Sequence, residues 1–198
     1  MDKWFPVLYD SLMKPLEIYG LQDIRKELIS KASGHVLEIG AGTGLNFPYY
    51  NDKQVTKLVA LEPDHASQQR SHSRISSTIP TEFIATAAES IPCPDHSFDT
   101  VVGTLILCTI GNPRQALEEI RRVCKPNGIL LFIEHVRADQ PIVGYLQDRL
   151  TPLWRHVAAG CHLNRDTLQL LKEMGFEIVS FKEFYKSIFW AVELRNRK

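Results

Sequence analysis

The feature that most constrains this chain is the segment Val36-Leu37-Glu38-Ile39-Gly40-Ala41-Gly42-Thr43-Gly44, an apolar run of strand composition that breaks into three alternate glycines. A run of that kind suits a buried strand. Glycines at its end allow positive φ angles and let a ligand reach the backbone without meeting a Cβ. In an open α/β sheet, ligands lie beyond the carboxyl ends of the strands where the winding reverses. The pattern therefore predicts a buried strand, a ligand-facing bend and then a helix.

The rest of the chain extends that unit. Short β-rich runs at 57–61, 81–85, 98–102 and 129–133 alternate with stretches of helical spacing, the pattern of a parallel sheet. The run 129–133 is apolar throughout, as in a central strand covered on both faces. A helix over 113–124 carries Ala116, Leu117, Ile120 and Val123 at helical spacing and stops at the turn signal Pro126-Asn127-Gly128. After a helix at 166–174 come two strand-like runs, 176–181 and 188–194, too close together for a crossover, so they form an antiparallel hairpin. The expected fold is α/β, a Rossmann-like doubly wound sheet of seven strands in the order 3-2-1-4-5-7-6, mostly parallel with that antiparallel carboxyl-terminal hairpin. The 198 residues make one domain. Residues 1–30 are read as a helical cap and 138–165 as a lid segment.

Lysine plus arginine equals aspartate plus glutamate at 23 each, which gives no net attraction to nucleic acid or to an anionic membrane. The four cysteines include no C-x-x-C pair and are read as reduced thiols. Trp154, His156, Cys161 and His162 show no regular ligand spacing, so no metal site is assigned. The amino terminus has charges and prolines in place of an apolar run, which points to a cytoplasmic protein with no stable membrane insertion, although peripheral contact stays open. Monomer and homodimer fit equally well.

The glycine spacing separates two ligand classes. A nicotinamide site uses G-x-G-x-x-G, whereas here the spacing is G-x-G-x-G and Leu45 stands where the last glycine would fall. S-adenosylmethionine has no pyrophosphate, so its loop must clear the methionyl chain, with Gly40, Ala41, Gly42 and Gly44 bare and Glu38 accepting from the ammonium group. Glu62, followed by Pro63, ends the second strand about 20 residues on, where an acid accepts both ribose hydroxyls. Ala88 and Glu89 suit the adenine edge.

Taken in order, loop, ribose acid, adenine segment and fourth strand resemble class I methyltransferases of the type 11 group, over roughly 36–134. The resemblance implies S-adenosylmethionine as cofactor, S-adenosylhomocysteine as product, and a cofactor border at Gly103, Thr104 and Leu105. Many members carry histidine where this chain has Cys108. Asn46 and Phe47 after the loop, His135 in Ile133-Glu134-His135-Val136, and the tail with Trp154, His156, Gly160, Cys161, Leu163 and Arg165 are similar to a narrower branch. It contains phospholipid N-methyltransferase relatives and small alkyl thiol methyltransferases, and its animal members have a hydrophobic amino-terminal anchor not seen here.

The expected activity is methyl transfer to a small or amphipathic acceptor, with a thiol or amine favoured. A quinone-type C-methyltransferase and a non-catalytic S-adenosylmethionine-binding module are the alternatives, the second motivated by Cys108; a dehydrogenase is disfavoured by Leu45. His135 and His156 are the candidate bases, although His135 can equally cap a loop. Tyr9 can bond the cofactor carboxylate or fill the core. Val143, Leu146, Leu150, Leu153, Trp154 and Val157 recur at helical spacing, either as a lid touching lipid or an apolar substrate or as ordinary packing onto the domain.

Overall fold

The computed structural model describes residues 5–75, 78–158 and 160–197; the first four residues of the expected cap and the side chain of Val157 lie outside it. Helices α1 (Phe5–Leu16) and α2 (Gln22–Ile29) are joined by a bend over Glu17–Leu21. They are followed by β1 (Gly34–Ile39), β2 (Val55–Leu61), α3 (His65–His72), β3 (Thr81–Ile84) and β4 (Phe98–Thr104). Then come α4 (Pro113–Val123), β5 (Cys124–His135), α5 (Pro141–Val157), α6 (Thr167–Glu173), β6 (Glu177–Phe184) and β7 (Phe189–Arg195).

The seven strands form one sheet in the order β3-β2-β1-β4-β5-β7-β6, as the sequence predicts. Pairing is parallel from β3 to β5, and β7 runs antiparallel to both β5 and β6. Because β1 lies between β2 and β4, the winding reverses beside it, so the glycine loop opens at the switch point.

Side-chain alternation divides each strand between two cores. Leu37, Ile39, Val59 and Leu61 face α4 and α6, whereas Val36, Leu58 and Ala60 face α1 and α2. Helix α4 begins at Asn112, whose side chain accepts from the Gln115 amide, with Pro113 in the first turn. Its Ala116, Leu117, Ile120 and Val123 are all fully buried, and each large one contributes about 1.5–3 kcal/mol. No helix among the described residues is long and apolar enough to cross a membrane.

Three features depart from the expectations. First, no helix follows the glycine loop, only the single 3₁₀ turn Phe47–Tyr49. Pro48 within it removes a backbone donor, and β2 begins again at Val55, which leaves no room for more. Secondly, Pro126-Asn127-Gly128 does not end a helix and start a loop. It is an irregular stretch inside β5, where Asn127 has φ 60° and the register with β4 shifts between Phe98 and Thr100.

Buried Asn196 holds that bulge. Its Nδ2 donates to the carbonyls of Arg121, Cys124 and Lys125 at 3.1, 3.0 and 3.2 Å, and its backbone exchanges bonds with Asn127 and Gly128. Thirdly, α5 turns most of its apolar row outward rather than packing it onto the domain, with Trp154 at its end reaching the cavity described below. Gly144, Gln147 and Thr151 face the domain, while Ile142, Leu146, Leu150 and Leu153 are at least half exposed. Polar contacts decide this orientation: the Gln147 side chain accepts from Ala138 N at 2.7 Å and donates to Val136 O at 2.9 Å, and Arg137 pairs with Asp148.

Replacing Asn196 by alanine strips buried carbonyls of their donor, so urea unfolding should show a loss of about 1–3 kcal/mol. An unchanged midpoint would mean that the bulge is held by its backbone alone.

Candidate active site

Beyond the carboxyl ends of β1, β2, β4 and β5 lies a cavity of about 820 Å³, floored by the glycine loop and walled by α1, the 86–89 and 104–111 segments and the 154–163 segment. That is near the upper end of the range for small-molecule sites, with room for a nucleoside cofactor and a second molecule.

Gly42 is the bare point of its floor. It has φ 54°, and a Cβ placed there meets nothing nearer than the Gly40 carbonyl at 3.9 Å, so any side chain would project into open space. Gly40 also lines the cavity, but a Cβ on it would strike Ile106 at 2.5 Å. Gly44 is a correction to the sequence reading: it is not in the cavity wall. A Cβ there would lie 2.9 Å from Ser71 Cβ and 3.0 Å from the Phe47 ring, so this glycine serves close packing of the loop on α3.

Glu62 sits immediately after β2, its Oε2 accepting from Gly42 N at 2.8 Å and its Oε1 from Asp64 N at 2.9 Å. Burial pushes its pKa up, while the two amides favour the charged form. A carboxylate oxygen has further lone pairs, so Glu62 can still accept hydroxyl donors from the cavity. Pro63, Ala88 and Glu89 line the same end, and Glu89 accepts from Asn112 N at 3.1 Å.

At the other end of the loop, Glu38 is buried with both oxygens engaged, Oε1 by Asn46 Nδ2 at 2.9 Å and Oε2 by the Tyr50 hydroxyl at 2.7 Å. Burial carries its pKa up to about 7 against those two bonds. Asn46 also bonds Thr104 and accepts from buried Arg25, whose guanidinium pairs with Glu17 at 2.6 Å. Arg25 is the only lysine or arginine among the described residues of the wall, and the sequence reading missed it. The available signal was a charge in register with the apolar positions Leu21, Leu28 and Ile29 of one buried helix face.

Ala41, Thr104, Leu105 and Tyr9 line the cavity too, with Leu12, Met13 and Leu16 of α1 beside Tyr9. Helix α1 is tethered there by Asp10, which accepts from Thr43 Oγ1 at 2.7 Å and pairs with Arg70 and Arg74 at 2.6 and 2.8 Å. Partial burial raises the Asp10 pKa, but those three donors outweigh it and hold the carboxyl below its ordinary range.

The two candidate bases part company. His135, at the end of β5, lines the cavity with its Nδ1 buried and unpartnered and its ring edge-on to Phe189. Burial pushes its pKa down to about 4. His156 is a second correction: it lies on the exposed side of α5, outside the cavity wall, with Nδ1 2.8 Å from the Pro152 carbonyl of its own helix. Glu134, which no sequence pattern singles out, is wholly buried beside His135 and accepts from the amides of Ile106, Leu107 and Cys108. It thereby shapes the wall segment that follows β4.

This strand order, with a bare Gly42 under the cavity and a carboxylate at Glu62, defines an S-adenosylmethionine-dependent methyltransferase of class I. Residues 37–132 match the family described as methyltransferase domain. Over 163 residues the chain is 35% identical to thiol S-methyltransferase TMT1B of Rattus norvegicus, covering 74% of this chain and 62% of that protein. Over 211 residues it is 30% identical to TMT1B of Homo sapiens, covering 94% and 81%. Among solved structures, an S-adenosylmethionine-dependent methyltransferase from Mesorhizobium loti superposes with a TM-score of 0.69 at 14% identity, covering 87% of this chain and 96% of that one. The chain belongs to the methyltransferase-domain family that includes these thiol S-methyltransferases.

Gly42→Arg should abolish S-adenosylmethionine binding in calorimetric titration, because its side chain enters the cavity at the floor. The left-handed φ costs about 1–2 kcal/mol, so the variant should still melt cooperatively. Affinity equal to wild type would dissociate the loop from the cofactor.

Proposed function

We propose that this methyltransferase acts on the sulfur of a small apolar thiol. The observation that carries this reading is the composition of the wall contributed after α4. His135, Trp154, Ala158, Cys161, Leu163 and Phe189 include no acid, lysine or arginine. An amine acceptor arrives as an ammonium ion, whose burial needs a carboxylate partner, and this part of the wall offers none. A thiol, ionised or not, carries no positive charge that needs a carboxylate, and its hydrocarbon part suits an apolar lining. The names of the rat and human relatives agree with the choice of sulfur.

When bound, S-adenosylmethionine supplies a methyl carbon made electrophilic by its sulfonium, which departs as a neutral thioether. Everything else falls to the protein. Glu62, fixed by two backbone amides, is our ribose acceptor, and Ala88 and Glu89 border the base. Arg25, steadied by Asn46 and Glu17, faces the methionyl carboxylate, while Glu38 holds Asn46 and Tyr50 in place. Helix α1 and Trp154 exclude water and keep the two reactants in line, and positioning of this kind supplies several kcal/mol of a displacement barrier.

His135 is neutral at physiological pH, because its desolvated ring gains a proton only near pH 4. An imidazole whose conjugate acid has a pKa of about 4 is too weak a base to ionise a thiol, but it has one N–H to donate to a thiolate. The reactive form is therefore the thiolate, steadied by His135, and the ionisation belongs to the acceptor.

Two measurements check this. S-adenosylhomocysteine release from a panel of small apolar thiols, amines and quinols should be fastest with thiols; preference for an amine or a quinol would overturn the assignment. With a thiol, kcat/KM should rise with pH to a plateau at the acceptor's own pKa, moving when the thiol is changed. His135, already deprotonated above about pH 4, adds no limb of its own, and His135→Ala should lower kcat/KM by roughly tenfold or more, because the thiolate loses the N–H that aims it at the methyl carbon. A limb near pH 6–7 that ignores the acceptor would instead identify a histidine of ordinary pKa.

A further inference from the structure

Two thiols of the cavity wall are not used by that mechanism. Cys108 follows β4 and Cys161 follows α5, yet both line the cavity and lie close enough to influence each other's ionisation, while the Cys108 thiol itself donates to the Leu105 carbonyl at 3.5 Å. Their backbones are fastened together independently. His162 N donates to the Cys108 carbonyl at 2.8 Å, and the Arg165 guanidinium donates to the carbonyls of Leu107 and Ile110. Neither sulfur is in a disulfide; Cys108 is buried and Cys161 is half-exposed.

We propose that Cys108 and Cys161 are a thiol-oxidation site, closed to a disulfide by low-molecular-weight disulfides entering the cavity, and that closure shuts off the methyl acceptor. This goes beyond the acceptor assignment and does not depend on it. The pair has the asymmetry that exchange requires. Cys161 is the more exposed of the two, and neighbouring Cys108, with help from Trp154 and the Arg165 charge, draws its thiol below its ordinary pKa against partial burial. The nearby Cys161 sulfur and burial push Cys108 up. Cys161 is thus the attacking thiolate and Cys108 the resolving thiol.

The step balances. The Cys161 thiolate attacks one sulfur of a disulfide RSSR, the S–S bond breaks, and RS⁻ leaves to take up the proton Cys161 had released. Cys108 then loses its proton and attacks the Cys161 sulfur of the mixed disulfide, forming the Cys108–Cys161 bond and expelling the second RSH. The protein dithiol is oxidised by two electrons, and RSSR is reduced to two thiols. Because both thiols face one cavity and their backbones are tied at the Cys108 carbonyl, side-chain rotation with little backbone movement separates the reduced and closed forms. The cross-link fixes the segment after α5 against the segment after β4 on the acceptor side of the cavity and leaves the Gly42 and Glu62 side untouched.

The test uses the full chain and bis(2-hydroxyethyl) disulfide as oxidant. Expected are the loss of two hydrogens per chain by intact mass and a peptide linking Cys108 to Cys161, formed before Cys93 or Cys124 reacts. Acceptor turnover should fall by roughly tenfold or more, since small displacements of a positioning wall are that costly. S-adenosylmethionine affinity should be retained, and a phosphine reductant, which is not a thiol, should restore turnover. In Cys108→Ser the same treatment should stop at a mixed disulfide on Cys161. In Cys161→Ser the ratio of treated to untreated turnover should stay near one. Reaction first at Cys93 or Cys124, or a 108–161 cross-link that leaves turnover unchanged, would overturn the proposal; the mapping on the wild-type chain stands whether or not a variant folds.

Discussion

Three buried carboxylates at the carboxyl edge of the sheet carry the cavity, because each anchors one of the loops that enclose it. Glu38 ends β1 and holds Asn46 and Tyr50; Glu62 follows β2 and holds the amides of Gly42 and Asp64; Glu134 lies near the end of β5 and holds the amides of Ile106, Leu107 and Cys108. Desolvating a carboxylate is costly, and burial drives Glu38 to about pKa 7 and Glu134 to about 8. What keeps them in place is their hydrogen bonds, which tie irregular backbone to a rigid strand end. Loops fixed in this way are preorganised before any ligand arrives.

The cavity these loops make has two unlike halves. Toward β2 and the glycine loop it is polar, with Glu62, Glu89, Arg25 and Asn46 suited to a zwitterionic nucleoside. Toward α5 and β7 it is apolar, with a neutral imidazole and two sulfurs. The first half suits the cofactor and the second the acceptor class proposed above, in keeping with a general division in which fold and chemistry are set by different residues. Helix α1 closes over both, and the Asp10 pairs with Arg70 and Arg74 tie that closure to the glycine loop through Thr43.

The features that the sequence misrepresents share a cause. Pro126-Asn127-Gly128 has the composition of a turn, and it lies within β5 because the distant Asn196 satisfies the carbonyls a bulge leaves open. The apolar row of α5 has the periodicity of a packed helix, and it faces outward because Gln147 and Thr151 find stronger polar partners on the inner side than leucines would find there. Gly44 belongs to a ligand-binding pattern, yet it is bare for Ser71 and Phe47.

Strand order, the place of the switch point and the position of Gly42 and Glu62 at the cavity were legible from the chain alone, because hydrophobic period and glycine position are local properties that backbone sterics translate directly. The candidate acceptor group was only half legible: His135 could be placed at a strand end, but nothing local distinguished it from His156, which a single helix turn carries to solvent. Arg25, Glu134 and the meeting of Cys108 and Cys161 in one cavity wall were decided by tertiary structure. Each depends on partners far away in the chain, and burial and proximity between such residues exist only after the sheet has been wound and its edge closed.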